Sequence, residues 1–238
     1  MKPVVSIIMN TINENPFRLE RAVRSCLDQR GVEVDLIIST VEGDVSIELC
    51  KYLPLRIVTM PKSDHPGKMP RGSFLQLNNA LPHIRGEWFV FASSNDYTYP
   101  DKLIKEVNAC VAAGKEVCYS SYNSTATDPD GKEIIVQLIR FHDYDFDKHK
   151  KGNFVSDVAI VSRRLVDKYL PFRTELNNYA YWDLWLRIYE GEGNVFCYQP
   201  EPTWAYGMYS DSMHLVRKRN PAEQAKELQD RNRMLSLH

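Results

Sequence analysis

With 238 residues, 43% hydrophobic and 26% charged, the chain has a globular composition and room for one large or two small cores. Its 30 basic and 31 acidic side chains leave a formal net charge of -1, which excludes the global basic field of a non-specific nucleic-acid binder. No apolar run reaches the ~18 residues of a membrane-spanning helix. The five cysteines (Cys26, Cys50, Cys110, Cys118 and Cys197) are widely spaced and lack a CxxC pair, so a disulfide framework or zinc site is not expected and a reducing, cytoplasmic setting is.

The first element is VVSIIM, residues 4–9, a near-continuous apolar run of the kind that marks a strand covered on both faces. It alternates as a strand does and no small-residue cleavage site follows, so the N-terminus reads as structure and not as a signal peptide. Asn15-Pro16 supplies an N-cap and a proline at the first helical position, and Leu19, Ala22, Val23, Cys26 and Leu27 continue at helical spacing. Residues 34–38 form a second strand and 55–58 a third, after a short helix near 45–52. This alternation predicts parallel pairing with right-handed crossovers.

Residues 61–72, PKSDHPGKMPRG, read as a loop, followed by a helix over 74–84 and a strand over 87–92. That strand runs into Ser93-Ser94-Asn95-Asp96, four small polar residues where α/β proteins place their ligands, and Pro100-Asp101 then opens a helix ending at Gly114. Beyond residue 117 the character changes. Val117–Tyr122, the turn 128–131 and Ile134–Ile139 predict an antiparallel hairpin. Ser162 caps a short helix to about Tyr169, a second runs from about Tyr179 to Tyr189, and Asn220-Pro221 opens a polar terminal helix with Glu227 and Arg231 at i,i+4. With no internal repeat, a single domain over 1–238 is expected: a nucleotide-type half over 1–115, an added half over 116–215 and a C-terminal helix over 216–238.

Four stretches in this order resemble the family 2 glycosyltransferases. They are VSIIMNTINE (5–14), QLNNAL followed by GEWFVF (76–81, 86–91), the elbow SSNDYTYPDKL (93–103) and WDLWLR (182–187), and the likeness extends over roughly residues 4–214. The resemblance implies a GT-A fold: a mostly parallel central sheet flanked by helices, with a smaller antiparallel acceptor-side part. It also implies transfer of a sugar from a nucleotide-diphosphate donor to an acceptor hydroxyl with inversion, assisted by Mn²⁺ or Mg²⁺. Charge builds on the diphosphate as the glycosidic bond breaks, which calls for a hard cation or preorganised positive charge. The acceptor hydroxyl needs a carboxylate to take its proton.

On the resemblance, Ser93 and Asn95 stand where the family carries its two metal-binding aspartates, leaving Asp96 as the one anion. Asn95, Asp96 and His214 are the expected metal ligands, while an elbow whose Ser94, Asn95 and Asp96 only cap and turn the chain is the open alternative. The family's Glu-Asp pair ahead of the Asp-Leu-Trp-Leu-Arg run is Ala180-Tyr181 here, so Asp183 is the first candidate base and Glu175 the second. Asp183 and Arg187 also satisfy an ordinary i,i+4 ion pair. Expected donor contacts are Thr11, Asn13, Glu14, Thr40, Asn78, Ser94, Asn95 and Asp96, with Lys68 and Arg71 either at the diphosphate or merely solvated; Glu42 is an alternative to Thr40. Asp143, Asp145 and Asp147 imitate a calcium loop, but Lys148 stands where its glycine belongs, so an edge or acceptor-side loop is expected. Tyr179, Tyr181, Trp182, Trp185, Trp204, Tyr206 and Tyr209 offer rings for sugar stacking or core packing. The acceptor is open among glycan, lipid, protein and modified nucleic acid. Rival readings are a non-catalytic nucleotide-sugar-binding module and a nucleotidyltransferase.

Overall fold

The computed structural model describes residues 1–65, 71–127, 132–209 and 221–238. Lys68, His214, the turn 128–131 and the cluster Arg217-Lys218-Arg219 lie outside them, and the side chain of Arg71 is also outside the description. The strands are β1 (Val4–Asn10), β2 (Glu33–Val41), β3 (Arg56–Met60), β4 (Trp88–Ala92), β5 (Tyr97–Thr98), β6 (Val117–Thr127), β7 (Glu133–Ile139), β8 (Ile160–Ser162) and β9 (Phe196–Gly207). The α-helices are α1 (Pro16–Leu27), α2 (Arg71–Ala80), α3 (Lys102–Ala113), α4 (Phe146–Lys151), α5 (Arg163–Tyr169), α6 (Ala180–Glu192) and α7 (Pro221–Leu235).

The strands form one sheet in the order β3-β2-β1-β4-β8-β6-β9-β5, with β7 paired to β6. β3, β2, β1 and β4 run parallel, as the βαβ alternation requires. β8 is antiparallel to both β4 and β6, and β9 returns parallel to β6. This is the expected α/β architecture of the GT-A type.

Continuous apolar strands make sense here because both faces of the sheet are covered. Alternate residues enter opposite cores. Ile8, Ile37, Phe89 and Phe91 pack with α2, α5 and α6, while Val5, Ile7, Met9, Leu36, Ile38 and Val90 pack with α1 and α3. Fully burying one such side chain contributes roughly 1.5–3 kcal/mol. A Cβ on Gly86 would lie 2.5 Å from the Ser6 amide nitrogen, so glycine is required where the chain enters β4 beside β1.

Four elements depart from the sequence reading. The Asp-rich segment is a loop only as far as Asp145, which caps the unexpected helix α4, its side chain accepting from the Lys148 amide (3.0 Å). β8 precedes the helix capped by Ser162, and β9 occupies a region assigned no strand. In α7, Glu227 accepts from Asn178 (3.0 Å) and Arg231 donates to the Lys151 carbonyl (2.8 Å), so the helix packs on the rest of the chain.

Candidate donor-binding cleft

A cavity of about 490 Å³ opens at the carboxyl ends of β1 and β4. The chain passes from β1 to β2 and β3 on one side and returns from β3 to β4 on the other side of β1, and such a switch point opens a crevice beyond the strand ends. The rim is built by Asn10–Asn15 and Arg18 on one side and by Ala92–Asn95 on the other, with Phe74, Leu77, Phe91, Tyr181, Asp157 and Asn178 closing it.

The turn after β1 is held from three directions. The Thr11 amide donates to the Ser39 carbonyl (3.0 Å), and Gln76 Nε2 donates to the Thr11 carbonyl (2.9 Å). Asn13 adopts a left-handed φ of 51°, a conformation asparagine tolerates better than most residues, and its amide donates to Asp44 Oδ1 (3.2 Å). Asp44 also accepts from the Ser46 amide (2.9 Å), the Ser46 hydroxyl (2.6 Å) and the Thr40 hydroxyl (2.7 Å). Asp44 therefore fastens the turns after β1 and β2 together. Asn15 caps α1 by accepting from the Phe17 and Arg18 amides (3.0 and 3.3 Å), which brings Arg18 onto the rim.

Of the expected donor contacts, the structure gathers Thr11, Asn13, Glu14, Ser94 and Asn95 on the cavity wall. Glu14 accepts from the Asn15 amide (2.8 Å) and stands 3.5 Å from the Ser94 hydroxyl. Three residues fall elsewhere. Thr40 is buried against Asp44. Asn78 meets the Phe172 main chain with both ends of its amide, donating to the carbonyl (3.0 Å) and accepting from the amide (2.8 Å). Asp96 is buried off the cavity wall, where its Oδ1 accepts from the Gly207 amide (2.9 Å) and ties the elbow to the end of β9. Burial pushes its pKa up to about 7, with Asp157 adding to the rise and the Gly207 amide, Ser93 and Arg21 opposing it.

Neither candidate base reaches the cleft. Asp183 is fully buried, accepting from Arg173 (2.9 Å) and Arg187 (2.8 Å) with His238 at 3.1 Å. Burial raises its pKa, but the hydrogen bonds and positive charges around it outweigh that and hold it below the ordinary value. Such a carboxylate is an anchor for ion pairs, not a proton acceptor for a ligand. Glu175 is exposed in the turn Thr174–Tyr179 and does not line the cavity. Among the described residues, the carboxylates that line it are Glu14 and Asp157. Asp157 is exposed at the surface, and desolvation by the protein around it raises its pKa against the pull of its own and Val158's amides and of Lys102. Phe74, Phe91 and Tyr181 meet edge to face, with centroids 5.1 and 5.4 Å from Tyr181, and form an apolar wall. Of the other expected rings, Trp182, Trp185 and Trp204 belong to the core, while Tyr209 lies against Arg18.

Sequence reasoning missed Arg18, Asp44 and Asp157. The Asn15 cap was a usable signal for Arg18, since a residue in the first turn of a helix after β1 must lie near that strand's carboxyl end. Asp157 had no comparable marker, because β8 after it is only Ile160–Ser162.

A divalent cation does not fit the described elbow. The Ser93 hydroxyl donates to Asn95 Oδ1 (2.6 Å), Asp96 faces Gly207, and among the described residues no three of His, Cys, Asp and Glu converge.

Strand order and cleft together define a GT-A-type α/β protein, the fold read from the sequence. In fold the chain is similar to TarS of S. aureus. It matches the UDP complex of TarS 1-349 with TM-score 0.63 and 17% identity over 99% of this chain and 70% of the other. The UDP-GlcNAc complex gives 0.59 and 16% over 91% and 61%, and a longer TarS chain 0.62 and 16% over 92% and 39%. In sequence, 130 residues are 23% identical to the succinoglycan biosynthesis protein ExoO of Rhizobium meliloti (strain 1021), covering 53% of this chain and 35% of that relative. The chain thus spans about a third of the curated relative it matches. No family model matches. The resemblance to family 2 glycosyltransferases is borne out in the fold.

Proposed function

We propose that the chain is a glycosyltransferase that holds a nucleotide-diphospho-sugar in the cleft between the ends of β1 and β4 and passes the sugar to an acceptor hydroxyl. The observation that carries this reading is the cavity itself, lined by Thr11, Asn13, Glu14, Ser94 and Asn95 in a fold shared with TarS, whose structures hold UDP and UDP-GlcNAc.

Asp157 is the base in this reading. The acceptor oxygen bonds to the anomeric carbon, the bond from that carbon to the diphosphate breaks, and the nucleoside diphosphate leaves with the electron pair. The acceptor proton passes to the Asp157 carboxylate, whose raised pKa makes it a better acceptor than an ordinary aspartate. Attack opposite the leaving group inverts the anomeric centre. The Phe74, Phe91 and Tyr181 wall suits the apolar face of a sugar or base and keeps water from competing.

The test is a panel of nucleotide sugars, UDP sugars first, read for thermal stabilisation and for release of nucleoside diphosphate with a mixed acceptor pool. The expectation is that at least one donor stabilises and turns over. Asp157→Asn should keep the stabilisation and lose turnover by about 10²-fold or more, the usual weight of a general base. Stabilisation without turnover in the unaltered chain favours the binding-module reading, which gains support from the displacement of Asp183 and Asp96 from the cleft. Retention of full turnover in Asp157→Asn removes Asp157 from the chemistry.

A further inference from the structure

We infer that the donor diphosphate is bound without a divalent cation and that the Arg18 guanidinium supplies the positive charge in its place. The inference rests on the donor-site reading above and goes beyond it in naming what meets the phosphates. Two independent observations point the same way.

The first is the state of the elbow. At the strand end Ser93 and Asn95 satisfy each other (2.6 Å), and the Asp96 carboxylate engages the Gly207 amide (2.9 Å) off the cavity wall. A hard cation needs several converging oxygens, preferably anionic. The described elbow presents neutral oxygens that are already paired.

The second is the cation built into the opposite rim. Arg18 lines the cavity from the first turn of α1, and its guanidinium lies 3.8 Å over the Tyr209 ring and 3.9 Å from Glu14. These neighbours help set its direction, and its side chain is 26% exposed. Arg21 stands behind, donating to the Tyr209 hydroxyl (2.5 Å), to Glu133 (2.9 Å) and to the Asn95 carbonyl (3.5 Å). The two arginines thereby tie α1, β7, Tyr209 and the elbow together, Arg18 beside Glu14 and Arg21 paired with Glu133. A planar guanidinium presents paired donors that match a phosphate, and a fixed charge stabilises a leaving diphosphate without reorganising.

Calorimetric titration of the whole chain with UDP, GDP, ADP and CDP, in excess EDTA and again in Mn²⁺, tests the inference. The expected result is that at least one diphosphate binds with an affinity equal to within about twofold in the two conditions, a difference under ~0.5 kcal/mol. Arg18→Gln should weaken that binding about tenfold to hundredfold and Arg18→Lys less, with no rescue by Mn²⁺ and unchanged melting temperatures. Binding abolished by EDTA and restored by Mn²⁺ overturns the inference but upholds the donor site. Undiminished binding by Arg18→Gln also overturns it. If none of the four binds in either condition, the donor-site reading fails.

Discussion

Asp96 and Asp157 are both carboxyls whose pKa is raised by their surroundings, yet only Asp157 meets the cleft. Because the Asp96 value rises from 3.8 to about 7, folding favours its protonated form. Stability from this group is therefore complete below pH ~4 and is lost as pH rises through about 7, by roughly 1.4 kcal/mol for each unit of the rise. Asp96→Asn keeps an acceptor for the Gly207 amide and removes the ionisation. Its melting temperature should match the parent near pH 4 and exceed it at pH 8, with nucleotide binding unchanged. A variant less stable than the parent at pH 8 would show that the ionised carboxylate is the native form. At this scale the sequence was a partial guide. Small polar residues at 93–96 marked the place, but side-chain direction is set by partners far along the chain, such as Gly207 for Asp96 and Arg173 for Asp183.

The turn after β1 lines the cleft, and Asp44 joins it to the turn after β2 with four accepted hydrogen bonds. Removing a buried acceptor strands its donors at about 1–3 kcal/mol. Asp44→Ala is expected to cost about 3 kcal/mol by denaturant unfolding and to weaken nucleotide binding as Asn13 loses its anchor. Unaltered binding would detach this lock from the site. The elements themselves were largely legible: apolar runs gave β1, β2 and β4, and the Asn15-Pro16 and Ser162 caps fixed two helix starts. β9 escaped notice because Pro200 and Pro202 interrupt its pattern, and its pairing with β6 shifts register there. The Asp-rich segment is expected as an edge or an acceptor-side loop; it is a loop up to Asp145, which then closes a helix cap on Lys148. Local hydrogen bonding outweighed the period-2 pattern.

For the molecule as a whole, the parallel half opens the crevice and the second half closes it. β8 and β9 place Asp157 and Gly207 beside the elbow, and Asn178 at the rim donates to Glu227 of α7. The chain covers 35% of ExoO and 39% of the longer TarS chain. No described helix is long and apolar enough to cross a membrane. A crystal structure of the chain soaked with UDP is the direct test of whether the space between Asn13 and Ser94 receives a nucleotide diphosphate. Density for the diphosphate is expected between the β1 and β4 ends, within reach of Arg18. Density for UDP in another part of the molecule, or an unchanged cleft at saturating UDP, would contradict it.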